Sequence, residues 1–482
     1  MHSTLELDEN QMRAMVTIAL DRVMDHLRGL STAPISNTSR GGEIAKSLLE
    51  PIPEESLPFE TLIGRIFDDI IPATVNTASP GYCAYIPSGG IFHAAVAEFV
   101  AKAVNRYVGY WFMAPAVAQL EWTVIRWFCT MMGYGDDSGG VFTSGASMAN
   151  LTAMIAARTT RLPEDSFQQG IIYITSQTHF SIAKAAGLAG FPSHCLRIID
   201  VDSEFRMDPR ALNEAIAADR IRTPTRTPFM VVGTAGTTNT GAVDPLDDIA
   251  LIASRENLWF HVDGAYGAFF MLVDEAAQRM RGIERADSIS LDPHKGLCLP
   301  YGTGALVTKR RASLERAFGA RADYVPQMND VENEIDFCGL STELSRDWRG
   351  LRIWLPIKMH GIGPFRDNIA EKLALTRDAL DAIRALPNIE IVATPQLTIF
   401  AFRLNPNDRS EADLDHLNRV FLNAILRRQR IMLSATTLDG RFVIRMALLS
   451  FRTHADRIHD GIIDIRDAAA EVLETTVHEA TG

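Results

Sequence analysis

No two of the five cysteines (Cys83, Cys129, Cys195, Cys298, Cys338) form a C-x-x-C pair. That scatter excludes a zinc ribbon or a disulfide framework and suits a reducing, cytoplasmic compartment. Positive charge is also short. The chain has 47 Lys and Arg against 59 Asp and Glu, a formal net charge of −12. Such a balance argues against nucleic acid or an anionic membrane surface as the main partner. No uninterrupted apolar run is long enough to span a bilayer. The first thirty residues contain Glu6, Asp8, Glu9, Arg13, Asp21, Arg22 and Asp25, leaving no apolar core for a signal peptide. The twelve histidines form no ligand-spaced pair with a carboxylate, so no metal is expected. Repeats and low-complexity segments are absent.

What remains is an ordinary soluble composition, 47% hydrophobic and 22% charged, over 482 residues. That length exceeds one compact core and implies two or three domains. Met12, Met15, Val16, Ala19, Leu20, Val23 and Leu27 recur at helical spacing, an amphipathic helix that needs a cover. Pro- and Gly-punctuated segments follow, so residues 1–90 read as an N-terminal helical and wrapping segment. Residues 91–160 are helical in pattern, interrupted by "DDSGGVFTSGAS". Then "GIIYITS", "CLRIIDV", "FMVVGTA", "LWFHVDG", "SISLD" and "GALVTK" read as strands separated by helices. Runs apolar on both faces predict a mainly parallel sheet in an α/β domain, residues 91–365. From 366 to 482 the texture changes to a smaller α+β domain, with a helix over 366–386 and another near 411–429. Ligands of parallel sheets sit at the carboxyl ends of strands.

One residue at such an end is out of place. Lys295 in "SISLDPHKGLCLP" follows a buried strand and precedes Gly296, Leu297, Cys298, Leu299 and Pro300. A buried amine without a partner is costly. Three other features fall at strand ends. "FTSGASMAN" puts Gly145, Ala146 and Ser147 at a helix start, where backbone N–H groups can meet an anion. Asp263 closes "FHVDGAYGA", and His179 follows "YITSQT". Taken singly, these are a capped helix, a capping carboxylate, a half-buried histidine and a snorkelling lysine. Together they match one ligand, pyridoxal phosphate, which needs an amine for its aldehyde, a carboxylate for its ring nitrogen and a phosphate cup. Lys295 would form the Schiff base, its neutral form favoured by desolvation and neighbouring cations. Asp263 would hold the ring nitrogen protonated, Ala265 pack under the ring, and His179 stack on its other face.

"TSGASMANLTAMIAAR", "THFSIAKAAGLAG", "GTAGTTNTGAVDPLDDIA", "WFHVDGAYGA" and "DPHKG" resemble, in order and spacing, the group II pyridoxal-phosphate decarboxylases. That family includes the aromatic-L-amino-acid, histidine and glutamate decarboxylases. The resemblance runs from about residue 55 to 470 and implies fold type I, the aspartate-aminotransferase-like fold. By it, Ala146 and Ser147 match the phosphate cup, His179 the stacking residue, and Asp263 and Ala265 the ring-nitrogen partner and lower face. Thr238 matches the threonine near ring and substrate, Lys295 the Schiff-base lysine, and His294 its phosphate-side neighbour. Aromatic members carry Asn at the position of Asp292. A carboxylate beside a phosphate is unfavourable unless turned away, so Asp292 receives no phosphate role.

The resemblance implies decarboxylation of an L-amino acid to its amine and carbon dioxide. It places Tyr324, ahead of a polar stretch suited to a lid, as the group that returns a proton to the substrate carbon. Related enzymes with Phe at that position consume oxygen and release an aldehyde; Tyr324 together with His179 favours the simple decarboxylase. Tyr85, Ile86 and Pro87 fall where aromatic members line the substrate side-chain pocket. Tyr107, Gly109, Tyr110 and Trp111 come from the region supplied by a dimer partner, and Gly109 replaces a Phe. These rings favour an aromatic or bulky apolar substrate. Arg106 keeps an acidic one open, namely glutamate, aspartate or cysteine sulfinate. A homodimer with sites at its interface is expected. Other fold-type-I enzymes, such as aminotransferases and cysteine desulfurases, are not expected to combine the "GTTNTGAVD" stretch with a tyrosine-bearing lid. A non-catalytic subunit of the same fold is disfavoured by the joint presence of Lys295, Asp263, His179 and Tyr324.

Overall fold

The computed structural model describes residues 5–222, 226–319, 334–407 and 409–481. Its centre is a seven-stranded sheet in the order β1-β7-β6-β5-β4-β2-β3. The strands are β1 (Gly139–Thr143), β2 (Gly170–Thr175), β3 (Leu196–Ile199), β4 (Thr227–Thr234), β5 (Trp259–Asp263), β6 (Ser288–Leu291) and β7 (Gly304–Thr308). β3, β2, β4, β5 and β6 run parallel, whereas β7 is antiparallel to β6 and β1 antiparallel to β7. The sheet is therefore mainly parallel, as the apolar runs predict. Every residue of β1, β2, β5, β6 and β7 is buried, which follows from helices covering both faces.

One strand falls where the sequence pattern shows only an interruption between helices. β1 lies inside "DDSGGVFTSGAS", and its glycines explain why it is faint. A Cβ on Gly140 would stand 2.2 Å from the Leu306 carbonyl oxygen, so β1 can pair with β7 only without that side chain. A second sheet, of order β10-β11-β9-β8, is wholly antiparallel. It comprises β8 (Ile389–Ala393), β9 (Ile399–Leu404), β10 (Ser434–Leu438) and β11 (Arg441–Ala447). Helices Gly363–Arg384, Glu411–Leu426 and Ala455–Thr481 accompany it, and Phe400, Phe402, Phe421, Ile425 and Ile444 fill its own core. The helix Glu9–Gly29 buries no residue.

The cavity side of the large sheet is braced by charge. Arg346 and Glu121, both with side chains at 0% exposure, meet at 2.7 Å. Glu121 also accepts the Gly350 amide at 3.0 Å, and the Arg346 guanidinium lies 4.7 Å from the Phe337 ring centroid. Arg349 donates to the carbonyl of Phe142 on β1 at 3.2 Å, which ties this segment to the strand leading into the site. A buried pair is far more costly to break than to lack. Glu121→Leu should lower unfolding free energy by about 3–5 kcal/mol in a denaturant titration; a loss below ~1 kcal/mol would show that the pair is not the brace described.

Candidate active site

At the carboxyl ends of β4, β5 and β6 the chain leaves a cavity with about 670 Å3 of empty space, its open mouth included. Its wall contains Ala146, Ser147, His179, Thr238, Asp263, Ala265, His294 and Lys295. These residues come from strand ends up to 149 positions apart in the chain, from Ala146 to Lys295. A parallel sheet brings them together because each crossover returns the chain to the same edge.

The helix Ala146–Arg161 starts at the cavity. Its approach depends on Gly304, since a Cβ there would lie 2.4 Å from the Gly145 Cα. Ser147 stands exposed beside the buried Ala146. Lys295 lies on the one-turn helix Pro293–Gly296 that follows β6, and its side chain is 24% exposed, toward the cavity. Its Nζ is 2.8 Å from Asp292 Oδ2, while Asp292 Oδ1 accepts the Ala146 amide at 2.7 Å. Asp292 is therefore not turned away. It bridges the lysine and the helix start. His294 Nδ1 donates to the Thr303 carbonyl at 2.7 Å. Burial pushes the His294 pKa down, against the pull of Asp292.

Asp263 ends β5 nearly buried and is surrounded by donors. Asn150 Nδ2 donates to Oδ2 at 3.1 Å; Ser290 Oγ and the Ala265 amide both donate to Oδ1 at 3.2 Å. His179 caps the helix Phe180–Leu188, and its Nδ1 lies 2.8 Å from Ser181 Oγ. Burial lowers the His179 pKa; Asp263 opposes that, Lys295 adds to it and Asp292 opposes it. Thr238 belongs to the loop after β4. Arg445 on β11 donates to its carbonyl, and also to Asn239 O at 2.9 Å and Ser434 Oγ at 2.7 Å. Burial draws the Arg445 pKa down to about 10. The second sheet is thereby latched onto the cavity wall.

The substrate-pocket candidates lie apart from this wall. Tyr85 is 60% exposed with φ +51, and its amide bonds Ser434 Oγ at 3.3 Å. Ile86 is half-buried and Pro87 buried. Tyr107 donates from its hydroxyl to the Leu344 carbonyl at 2.8 Å. Gly109 makes that possible, because a Cβ there would sit 2.1 Å from the Tyr107 hydroxyl oxygen. Arg106 is exposed and donates to the Val104 carbonyl at 3.0 Å. Tyr324 lies outside the described residues. The wall also includes Ser181, Thr234 and Tyr266, which strand-end reasoning passed over. Asn150, behind the wall, was missed because it sits inside a helix; its one signal is a polar residue among Ala149, Leu151, Ala153 and Met154.

These groups fit a pyridine aldehyde bearing a phosphate. An amine, a carboxylate with three donors and an imidazole share one cavity with a small-residue helix start. Thr234 Oγ1 on the same wall is buried without a hydrogen-bond partner among the described residues, so it is free to meet a ligand. Lys295 would hold the aldehyde, Asp263 the ring nitrogen, and Ser147 with its neighbours the phosphate.

Comparison with known proteins agrees. The family profile described as "Pyridoxal-dependent decarboxylase conserved domain" matches residues 42–405. An aromatic-L-amino-acid decarboxylase of Bacillus atrophaeus is 33% identical over 474 residues, 98% of either chain. A phenylacetaldehyde synthase of Arabidopsis thaliana is 26% identical and covers 97% of this chain and 97% of its own. The Oryza sativa TDC structure with PLP and tryptamine superposes at a TM-score of 0.92 and 25% identity, covering 98% of this chain and 99% of its own.

Behind Asp263, the fully buried His261 has its pKa pushed from 6.5 down to about 4 by desolvation. Between those values the unfolded chain binds a proton that the folded chain refuses, so stability falls as pH drops through that window. Unfolding free energy of the wild type, measured from pH 7 to 4, should fall by about 3 kcal/mol more than that of His261→Gln. Parallel curves would refute a neutral buried His261.

Proposed function

The chain belongs to the family of pyridoxal-dependent decarboxylases and is a pyridoxal-phosphate-dependent amino acid carboxy-lyase, and on that premise we propose that it converts an aromatic L-amino acid to its amine. The observation that carries the site assignment is the convergence of Lys295, Asp263 and His179 on one cavity. The cofactor, when bound, withdraws electrons from the substrate carbon as carbon dioxide leaves. The residues then have separate tasks. Lys295 would hold the cofactor's aldehyde through its amine. Asp263, held by three donors, would pair with the ring nitrogen. His179, half-buried and with its pKa lowered by desolvation, would cover the ring and exclude water from it. Ala146, Ser147 and His294 seat the phosphate end, and Thr238 faces the ring edge. Tyr324 returns the proton to the substrate carbon.

Three observations support the aromatic reading. Relatives that match over nearly their whole length are named as aromatic-L-amino-acid, tryptophan and tyrosine decarboxylases. Arg106, the cation that would have recognised an acidic side chain, is exposed and occupied by a backbone carbonyl. Tyr85, Tyr107 and Tyr110 supply rings near residues 85–110.

The working unit is a homodimer in this proposal, with Tyr85, Ile86, Pro87 and Tyr107 completing the substrate pocket at the interface. Met12, Val16, Leu20 and Met24 stripe a helix that buries nothing, and each is at least 40% exposed. Phe92, Val96, Phe99, Val100 and Val104, each at least 39% exposed, form a second stripe on the helix Phe92–Val104, opposite its buried Ala94, Ala97 and Ala101. Apolar stripes of this extent need a cover, which a second copy provides. Among the described residues no helix is long and apolar enough to cross a membrane. Four cysteines are buried and all five are free, in keeping with the cytoplasm.

Carbon dioxide release should be at least ~10-fold faster with tryptophan, tyrosine or phenylalanine than with glutamate, aspartate or cysteine sulfinate, a discrimination of about 1.4 kcal/mol. Preference for an acidic substrate would overturn the aromatic reading. Tyr324→Phe should cut amine yield while oxygen-dependent aldehyde and peroxide rise; an unchanged amine yield would remove Tyr324 as proton donor. Sedimentation should give twice the chain mass, and an active monomer would contradict the shared pocket.

A further inference from the structure

We infer that a buried, one-way hydrogen-bond chain, Trp259–Ser288–His261–Asn150, fixes the hydrogen-bonding state of Asp263 and of His179, so that His261 and Asn150 are positioning residues of this site. The inference rests on the cofactor-cavity reading above. Its direction follows from the two ends of the chain. An indole N–H can only donate, and Trp259 Nε1 lies 2.8 Å from Ser288 Oγ. A carboxylate can only accept, and Asp263 Oδ2 takes Asn150 Nδ2 at 3.1 Å. The second hydrogen of that amide goes to Ser181 Oγ at 3.0 Å. Asn150 Oδ1 must therefore face His261 Nε2, at 3.0 Å, as an acceptor. His261 Nε2 carries the proton. In a neutral ring Nδ1 is then bare and accepts the Ser288 hydroxyl at 2.8 Å, while a Ser288 lone pair takes the indole. No other assignment satisfies every member.

The chain forks at Asn150 toward the second site group. Ser181 Oγ, having accepted from Asn150, passes its own hydrogen to His179 Nδ1 at 2.8 Å. The Ser181 amide points at the same nitrogen from 3.3 Å. His179 is thus fixed with its proton on Nε2, and its Nδ1 is closed to any other donor. One network sets an acid and an imidazole on the same cavity wall. Asn150, His261 and Ser288 are each 0% exposed, and Trp259 is 2% exposed. Polar side chains in a sheet interior are costly unless every hydrogen bond is made, and apolar residues of similar size would pack there at less risk. Their alignment on Asp263 and His179 gives the polarity a use.

The test compares the wild type with His261→Gln, which keeps an N–H for Asn150 Oδ1, and with His261→Leu, which does not. In cofactor-free protein with 15N-labelled histidine, wild-type His261 and His179 should both be neutral and protonated on Nε2. His261→Leu should mix the His179 tautomers and weaken pyridoxal-phosphate binding about tenfold, the effect of losing a well-placed hydrogen bond near a charge. His261→Gln should restore both to within about twofold. Equal impairment in the two variants would mark mere packing and overturn the proposal, as would an unchanged His179 signal and affinity in His261→Leu. If His261→Leu does not fold, the wild-type spectrum decides, since a proton on Nδ1 of either ring breaks the chain. A wild type that shows these tautomers yet takes up no cofactor would sink the functional reading alone.

Discussion

A lysine amine held 2.8 Å from a buried carboxylate, at the edge of five parallel strands, is the constraint on which the rest of this molecule depends. An amine in that setting is costly without a partner, and the Asp292 carboxylate supplies one. Asp292 joins it to the amide of Ala146. The helix start, the strand end and the lysine turn thus become one rigid piece. Gly304 and Gly140 let backbone approach backbone closely enough for this to happen. The buried Arg346–Glu121 pair holds the segment that grips β1. Each of these features costs stability by itself. Each is repaid by the precision with which the cavity wall is held.

The opposite wall is built on different physics. Asp263 needs no ion pair, because three neutral donors satisfy it. The carboxylate still lines the cavity wall, within reach of whatever enters. The buried arginine of β11, which among the described residues donates to carbonyl and hydroxyl oxygens, adds positive potential to the loop of Thr238. The cavity therefore has an amine at one side, an uncompensated acid behind, and a cation beyond the loop. That polarity suits a ligand with an aldehyde, a basic ring nitrogen and an anionic substrate.

The sheet was legible wherever strands were long and apolar on both faces, as in "GIIYITS" and "LWFHVDG". β1 and β10 were not. Gly139 and Gly140 give β1 no strand propensity, and "SATTL" is too polar to stand out. Strand-end residues were readable because a polar group after an apolar run is conspicuous. Lys295, Asp263 and His179 all have that form, and they share one cavity. The supporting residues were harder to see. His261 and Ser288 sit inside apolar runs, where a single polar residue reads as noise, and Asn150 is one turn into a helix. Their meaning appears only when chain segments 111 and 27 residues apart come within 3 Å.

The site stands or falls on which nitrogen holds the cofactor. Reduction of the pyridoxal-phosphate-loaded protein with borohydride, followed by peptide mapping in a mass spectrometer, answers it directly. A phosphopyridoxyl group should appear on the peptide containing Lys295 and on no other. A label on the buried Lys372 or on a surface lysine, with Lys295 unmodified, would contradict it.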